Sequence, residues 1–207
     1  NLYVLFSNFV DEIGKVYKAD FPVLSDAKPA IIAIGQELGK KVTQVAPKKI
    51  TREKWFDAPV QAPGKKIHPA DLVKAMSNNL PANAIVMGDA GSHMLWLNCY
   101  LNLTKHQVYQ NPGSFGPMAS HVNGSIGAKC ANPGRVVVCG CGDGAYQMAG
   151  FELMTAIQYN IPVVWVIFNN GEFNVIKKFL LNLFGDQAFM QFTNPDFVKY
   201  AEACGAF

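Results

Sequence analysis

Arg135-Val136-Val137-Val138-Cys139-Gly140-Cys141-Gly142-Asp143-Gly144-Ala145 is the stretch on which the fold turns. An apolar run without polar alternation reads as a strand covered on both faces, the habit of parallel sheets. This one runs straight into a glycine-flanked aspartate. Pro162-Val163-Val164-Trp165-Val166-Ile167-Phe168 is a second such run, and it ends in Asn169-Asn170-Gly171-Glu172. The 24 residues between Gly144 and Asn169 leave room for one helix and one strand. The helix is expected over 146–159, where Met148, Phe151, Met154, Ala156 and Ile157 recur. A right-handed strand–helix–strand unit brings both strand ends to one edge of the sheet, as neighbours.

Upstream the alternation continues. Pro69 opens a helix through Leu80, and Ala84–Met87 is a short buried strand followed by the turn Gly88-Asp89-Ala90-Gly91. A helix is expected over 92–103. Glycine-rich Gly113–Gly116 then leads into a small-residue helix over 118–131. Residues 43–66 hold Pro47, Pro59 and Pro63, lack helical periodicity, and read as a linker. Before it, Asp26 caps a helix carrying Ile31, Ile32, Ile34 and Leu38. Residues 1–25 give no clear element by themselves. The fold class is α/β: an open parallel sheet with helices on both faces.

Composition narrows the function classes. Half of the 207 residues are apolar and only 16% are charged, a thin charged surface that suits an oligomer or missing neighbouring domains. A net charge of +3, with no basic run interleaved with aromatics, gives no footprint for nucleic acid. No apolar stretch reaches the roughly 18 residues of a membrane span, and no signal peptide is present. The five cysteines lack a CxxC pair, which fits a reduced, cytoplasmic protein. Asn1 is no natural start and Phe207 follows no stop signal, so the sequence reads as a portion of a longer chain, truncated at its C-terminus.

In open parallel sheets, ligands bind outside the carboxyl ends of the strands. There Asp143 offers one carboxylate, and Asn169 and Asn170 offer amide oxygens. Magnesium takes one or two carboxylates plus phosphate oxygens and water. One Asp and one Asn therefore underfill a protein cage but suit a metal–diphosphate. The flanking Gly142 and Gly144 let backbone approach phosphates, and the next helix turns its N-terminus toward them. Gly140-x-Gly142-x-x-Ala145 also loosely fits a dinucleotide fingerprint, but no acid stands about 20 residues on to hold a ribose. Ordinary turns would explain either segment alone, less readily the two together.

Gly142-Asp143-Gly144 and Asn169-Asn170 at this spacing resemble the signature of thiamine diphosphate-dependent enzymes. The text Gln147-Met148-x-x-x-Glu152-Leu153, Gly91-Ser92-His93-Met94-Leu95-Trp96 and Phe115-Gly116-Pro117-Met118 is most similar to the acetolactate synthase branch. Residues 67–207 resemble its diphosphate-binding domain. Residues 1–42, through Glu12-Ile13-Gly14-Lys15 and Phe21-Pro22-Val23, resemble the tail of a preceding middle α/β domain. The resemblance implies magnesium on Asp143, the Asn170 side chain and the backbone carbonyl of Glu172. It implies diphosphate contacts from Ala90, Gly91, Ser92, His93, Gly142, Gly144 and Ala145. The Gly116 carbonyl would meet the aminopyrimidine, Met118 would wedge the cofactor into a bent form, and Val175 would lie against cofactor and substrate.

The implied reaction is decarboxylation of a 2-oxo acid such as pyruvate and carboligation to a second carbonyl. The implied assembly is a homodimer or tetramer, with FAD admitted as a further cofactor of the full-length enzyme. A benzoylformate-type decarboxylase, a related oxidase and a non-catalytic cofactor-binding module are the alternatives. The activating glutamate is expected from a partnering subunit, so this chain alone is expected to be inactive. His93 and the Val175-Ile176 pair also admit purely structural readings. Trp96 reads as core. His121 and Asn123 depart from the branch, and His121 reads as a packing or hydrogen-bonding variant.

Overall fold

The computed structural model describes residues 3–39, 66–113 and 115–207, in two compact units divided between Thr51 and Arg52. In the first unit β1 (Val4–Ser7) pairs in parallel with β2 (Phe21–Leu24), Val4 opposite Phe21 and Ser7 opposite Leu24. Helix α1 (Ala27–Leu38) follows, its Asp26 cap accepting from the Lys28 amide as expected. Two strands and one helix cannot enclose a core. Ala30 is buried, whereas Phe6, Phe9, Ile31, Ile32 and Leu38 stay exposed. Residues 40–65, and with them all of the proposed 43–66 linker except Lys66, lie outside the described residues.

The second unit holds the sheet. Its elements are α2 (Pro69–Asn79), β3 (Ile85–Gly88), α3 (Ser92–Tyr100), β4 (Val108–Gln110), α4 (Ser120–Ala131), β5 (Val137–Gly142), α5 (Asp143–Ala149), α6 (Leu153–Gln158), β6 (Val164–Phe168), α7 (Asn174–Phe184) and α8 (Phe197–Ala203). The four strands run parallel in the order β4-β3-β5-β6. The period of two along a strand sorts their side chains between two cores. Val86 meets Val73 of α2 and Leu97 and Leu101 on the α3 side. Ile85, Met87 and Val137 face the α4 side with Ala128, where Cys139 and Cys141 pack with Val122 and Tyr146. Both faces are covered, which is why these strands show no polar alternation.

Three boundaries differ from expectation. The helix expected over 146–159 begins at Asp143 and breaks at the 3-10 turn Gly150–Glu152 into two short helices. The helix expected from 118 begins at Ser120, because Ala119 is left-handed at φ 70°. The helix expected to 103 ends at Tyr100, where Leu101 turns extended and is buried. Strands β1, β2 and β4 were not legible, because three or four residues show no period, and the 11-residue helix α7 was not read from the sequence either. Among the described residues no helix is long and apolar enough to cross a membrane.

Candidate functional site

The chain leaves β3 for β4 on one side, then crosses back to place β5 on the other. A sheet reverses its winding between β3 and β5, and the crevice outside their carboxyl ends is where such folds hold ligands. Here the two ends are built alike. Gly88 pairs with Gly140, the Asp89 amide donates to the Gly140 carbonyl at 2.9 Å, and each strand delivers an aspartate just beyond its last residues. β6 lies beside β5, with Gly142 opposite Phe168, so Asn169 and Asn170 emerge next to Asp143 as expected.

Asp143 is 2% exposed and its carboxylate ties the strand ends together. Oδ2 accepts from the Asn170 amide at 2.9 Å, the Gly171 amide at 2.6 Å and Asn194 Nδ2 at 2.8 Å. Among the described residues Oδ1 accepts only from the neighbouring Gly144 amide, at 2.9 Å. A carboxylate offers about four lone-pair sites. The arrangement crowds one oxygen and leaves the other the freer to take a cation. Asn170 Oδ1 accepts from the Glu172 amide at 3.3 Å, and the Glu172 carboxylate pairs with Lys177 at 2.6 Å.

Gly144 has a second reason to be glycine: a Cβ there would stand 2.7 Å from the Phe173 ring, which stacks on Phe192. Gly91 is likewise constrained, with φ 151° and a position where a Cβ would stand 2.5 Å from the His93 ring. That close approach seats His93 at 5% exposure against Phe168. Its Nε2 is buried without a partner. Burial pushes its pKa below the ordinary 6.5, with Asp89 and Asp143 opposing the shift.

Asp89, fully buried, organises the other side. Its carboxylate accepts from the Ala119 and His121 amides, both at 2.8 Å, and so caps α4 from a distant strand end. The loop it holds carries Phe115 at φ 65°, Gly116 at φ 50° and Ala119 at φ 70°. Left-handed non-glycine residues cost about 1–3 kcal/mol each and persist where their surroundings fix them. The His121 ring bonds Ser120 Oγ at 3.1 Å, the local role expected of it.

One cleft of about 1140 Å³ collects most of the residues expected at a site. Ala90, Gly91, Ser92 and His93 line it from the turn after β3, and Gly142, Asp143, Gly144 and Ala145 from the end of β5. Met118, Asn170, Glu172, Val175 and Ile176 line it as well, while Gly116 is exposed outside that lining. Trp96, expected in the core, packs there and also borders the cleft.

Sequence reasoning missed Asp89 and Asn194. The first had a signal, since Gly88-Asp89-Ala90-Gly91 shares the Gly-Asp start and the small residues of Gly142-Asp143-Gly144-Ala145. The second lies 51 residues from Asp143 and had none.

Residues 89–207 match the thiamine pyrophosphate enzyme C-terminal TPP binding domain. The chain belongs to this thiamine pyrophosphate enzyme family. It is 29% identical over 205 residues to the acetolactate synthase isozyme 3 large subunit of Escherichia coli (strain K12), covering 93% of this chain and 35% of that protein. It is 29% identical over 199 residues to the acetolactate synthase large subunit of Lactococcus lactis, covering 94% and 34%. Among solved structures, a thiamine diphosphate-dependent 4-hydroxybenzoylformate decarboxylase of Rhodococcus jostii RHA1 superposes with a TM-score of 0.77 at 23% identity, covering 99% of this chain and 38% of that one. The family's fold is therefore the one seen here. The chain spans about a third of the length of the acetolactate synthases it matches.

Proposed function

We propose that this chain is the diphosphate- and magnesium-holding part of an acetolactate synthase-like enzyme. The observation that carries it is Asp143 beside Asn170 at two adjoining parallel strand ends, with Oδ1 the less engaged carboxylate oxygen. Among the described residues no cluster of three His, Cys, Asp or Glu is arranged to hold a metal. One carboxylate, one amide and one backbone carbonyl leave positions for phosphate oxygens and water, which is magnesium's habit with diphosphates. The residues present therefore fit the group.

Asp143, the Asn170 side chain and the Glu172 carbonyl are the magnesium ligands in this reading. The turn Ala90–His93, with Gly142, Gly144 and Ala145, receives the diphosphate. An anion beside His93 favours its protonated form, which gives the unpartnered Nε2 a hydrogen to donate. Thiamine diphosphate, when bound, supplies a carbon nucleophile for the carbonyl of a 2-oxo acid and a sink for the electrons left by carbon dioxide. Met118, held by the loop that Asp89 fixes, supports the cofactor's shape, and the Gly116 carbonyl is assigned to the aminopyrimidine. Val175 and Ile176 supply an apolar wall suited to a small alkyl group such as pyruvate's methyl.

Activation also needs a carboxylate beside the aminopyrimidine. Among the described glutamates Glu172 alone lines the cleft, and its carboxylate is engaged by Lys177. By resemblance to the acetolactate synthase branch, the activating carboxylate is assigned to a partner subunit, in a homodimer or tetramer. Five free cysteines support a cytoplasmic location. FAD use belongs to the full-length enzyme, and residues 1–42, 43–66 and 67–207 are taken as middle-domain remnant, linker and cofactor domain.

The test is product analysis with pyruvate, magnesium and thiamine diphosphate on the full-length protein. Acetolactate supports this reading. Free aldehyde alone indicates a decarboxylase, and acetate with peroxide an oxidase. No turnover despite tight cofactor binding indicates a binding module.

A further inference from the structure

We propose that Asn194 is a positioning residue for the magnesium site: it holds the Asp143 carboxylate and the Asn169 strand end together, leaving Asp143 Oδ1 for the cation. The inference rests on the reading of Asp143 as a metal ligand. Asn194 Nδ2 donates to Asp143 Oδ2 and to Asn169 Oδ1, both at 2.8 Å. Its Oδ1 accepts from Gln147 Nε2 at 2.6 Å. One amide thus joins the ends of β5 and β6 to helix α5.

Its orientation follows from chemistry. Turned over, Asn194 would present its oxygen to two acceptors and its NH2 to the Gln147 donor, losing all three bonds. The Asp143 carboxylate, which can only accept, therefore sets the face that Asn194 shows it, and Gln147 braces the opposite edge of the amide. The backbone is also prepared. The Phe192 amide donates to the Gly171 carbonyl at 3.0 Å, and the Phe173 amide to the Met190 carbonyl at 2.9 Å. These bonds lay the chain before Asn194 along the residues that follow Asn170. Pro195 restricts Asn194 to extended conformations. Asp196 then caps α8 by accepting from the Val198 and Lys199 amides.

The consequence is a division of labour within one carboxylate. Three donors on Oδ2 fix the plane of Asp143, and a cation then meets Oδ1 without reorienting it. Without Asn194 the carboxylate keeps its three backbone donors but loses the one side chain that braces Oδ2, and Asn169 loses its tie to the neighbouring strand end. Residues that orient metal ligands typically contribute about ten- to a hundred-fold in metal affinity.

The experiment titrates magnesium into the full-length protein at fixed thiamine diphosphate, following intrinsic fluorescence. Wild type is compared with Asn194→Leu, which keeps the branched shape but removes the donors, and with Gln147→Leu and Asp143→Asn. Asn194→Leu is expected to weaken magnesium binding by about ten- to a hundred-fold, with turnover recovered at high magnesium. Gln147→Leu, which removes the brace on Asn194 Oδ1, is expected to show a smaller loss in the same direction. A purely structural role would lower the unfolding temperature and leave the magnesium titration unmoved. Unchanged magnesium affinity in Asn194→Leu, with affinity lost in Asp143→Asn, would overturn the role of Asn194 and leave the metal site standing. Unchanged affinity in Asp143→Asn as well would overturn the metal-site reading, and this inference with it.

Discussion

Replacing Asp143 by Asn removes a charge while keeping shape, and the structure fixes what that costs. The carboxylate accepts four hydrogen bonds, three on Oδ2 and one on Oδ1. An Asn side chain best keeps its oxygen at the Oδ2 position, where the Asn170, Gly171 and Asn194 donors converge. Its NH2 then faces the Gly144 N–H, donor against donor, and one buried amide goes unpaired at about 1–3 kcal/mol. The other three bonds become neutral, each about half as strong as before. Relief of the desolvation of a buried carboxylate, worth several kcal/mol, offsets part of this. A net loss of about 2 kcal/mol is expected. Urea unfolding of the cofactor-free protein measures it as a lower midpoint at unchanged slope. Adding magnesium and thiamine diphosphate at about a hundred times their dissociation constants should stabilise the wild type by about 2.7 kcal/mol, and the variant by much less. A cofactor-free variant as stable as wild type would show that Asp143 does not tie the strand ends. Equal stabilisation by the ligands would remove it from the metal site.

Met118→Ala should slow hydrogen exchange at the reactive carbon of bound cofactor in the full-length enzyme while leaving cofactor affinity near wild type; exchange at the wild-type rate would make Met118 plain core. His93 and His121 both have pKa values lowered by burial, so each binds fewer protons folded than unfolded. Stability should then be full above about pH 6.5, the ordinary histidine value, and fall as pH drops through it toward the lowered folded values. His93→Gln should flatten that slope in thermal melts, and an unaltered slope would count against the burial argument. Leu97→Ala should lower stability by about 2–5 kcal/mol, because Leu97 is fully buried between α2 and the sheet and fills the space above Gly140. The isolated 207-residue chain should not turn over pyruvate even with magnesium and cofactor supplied; robust activity, free of any longer chain, would place the activating carboxylate within this sequence.

The sheet's central strands and the polar text at their ends were legible because they rest on local, unmixed signals. Val136–Val138 and Pro162–Phe168 are continuous apolar runs long enough to be strands and too short to be free helices, and each ends in polar residues that need a reason to sit there. The 24-residue interval between Gly144 and Asn169 then made the strands neighbours through the handedness of the crossover. What escaped was non-local. Val108–Gln110 is a strand only because β3 offers it a partner edge. The helix breaks where Ala149 leaves helical dihedrals at φ -138°, and Gly150 leaves room for the Tyr146 ring that packs over it. Asp89 caps a helix about 30 residues away, and Asn194 reaches Asp143 across 51 residues. Hydrogen bonds of this kind leave no period or spacing in a sequence, because the residues they join are brought together by sheet order and chain reversal. The sequence by itself therefore determined which residues stand at the strand ends of this protein, and only the tertiary structure decided which donors hold the Asp143 carboxylate and which of its oxygens is the less engaged.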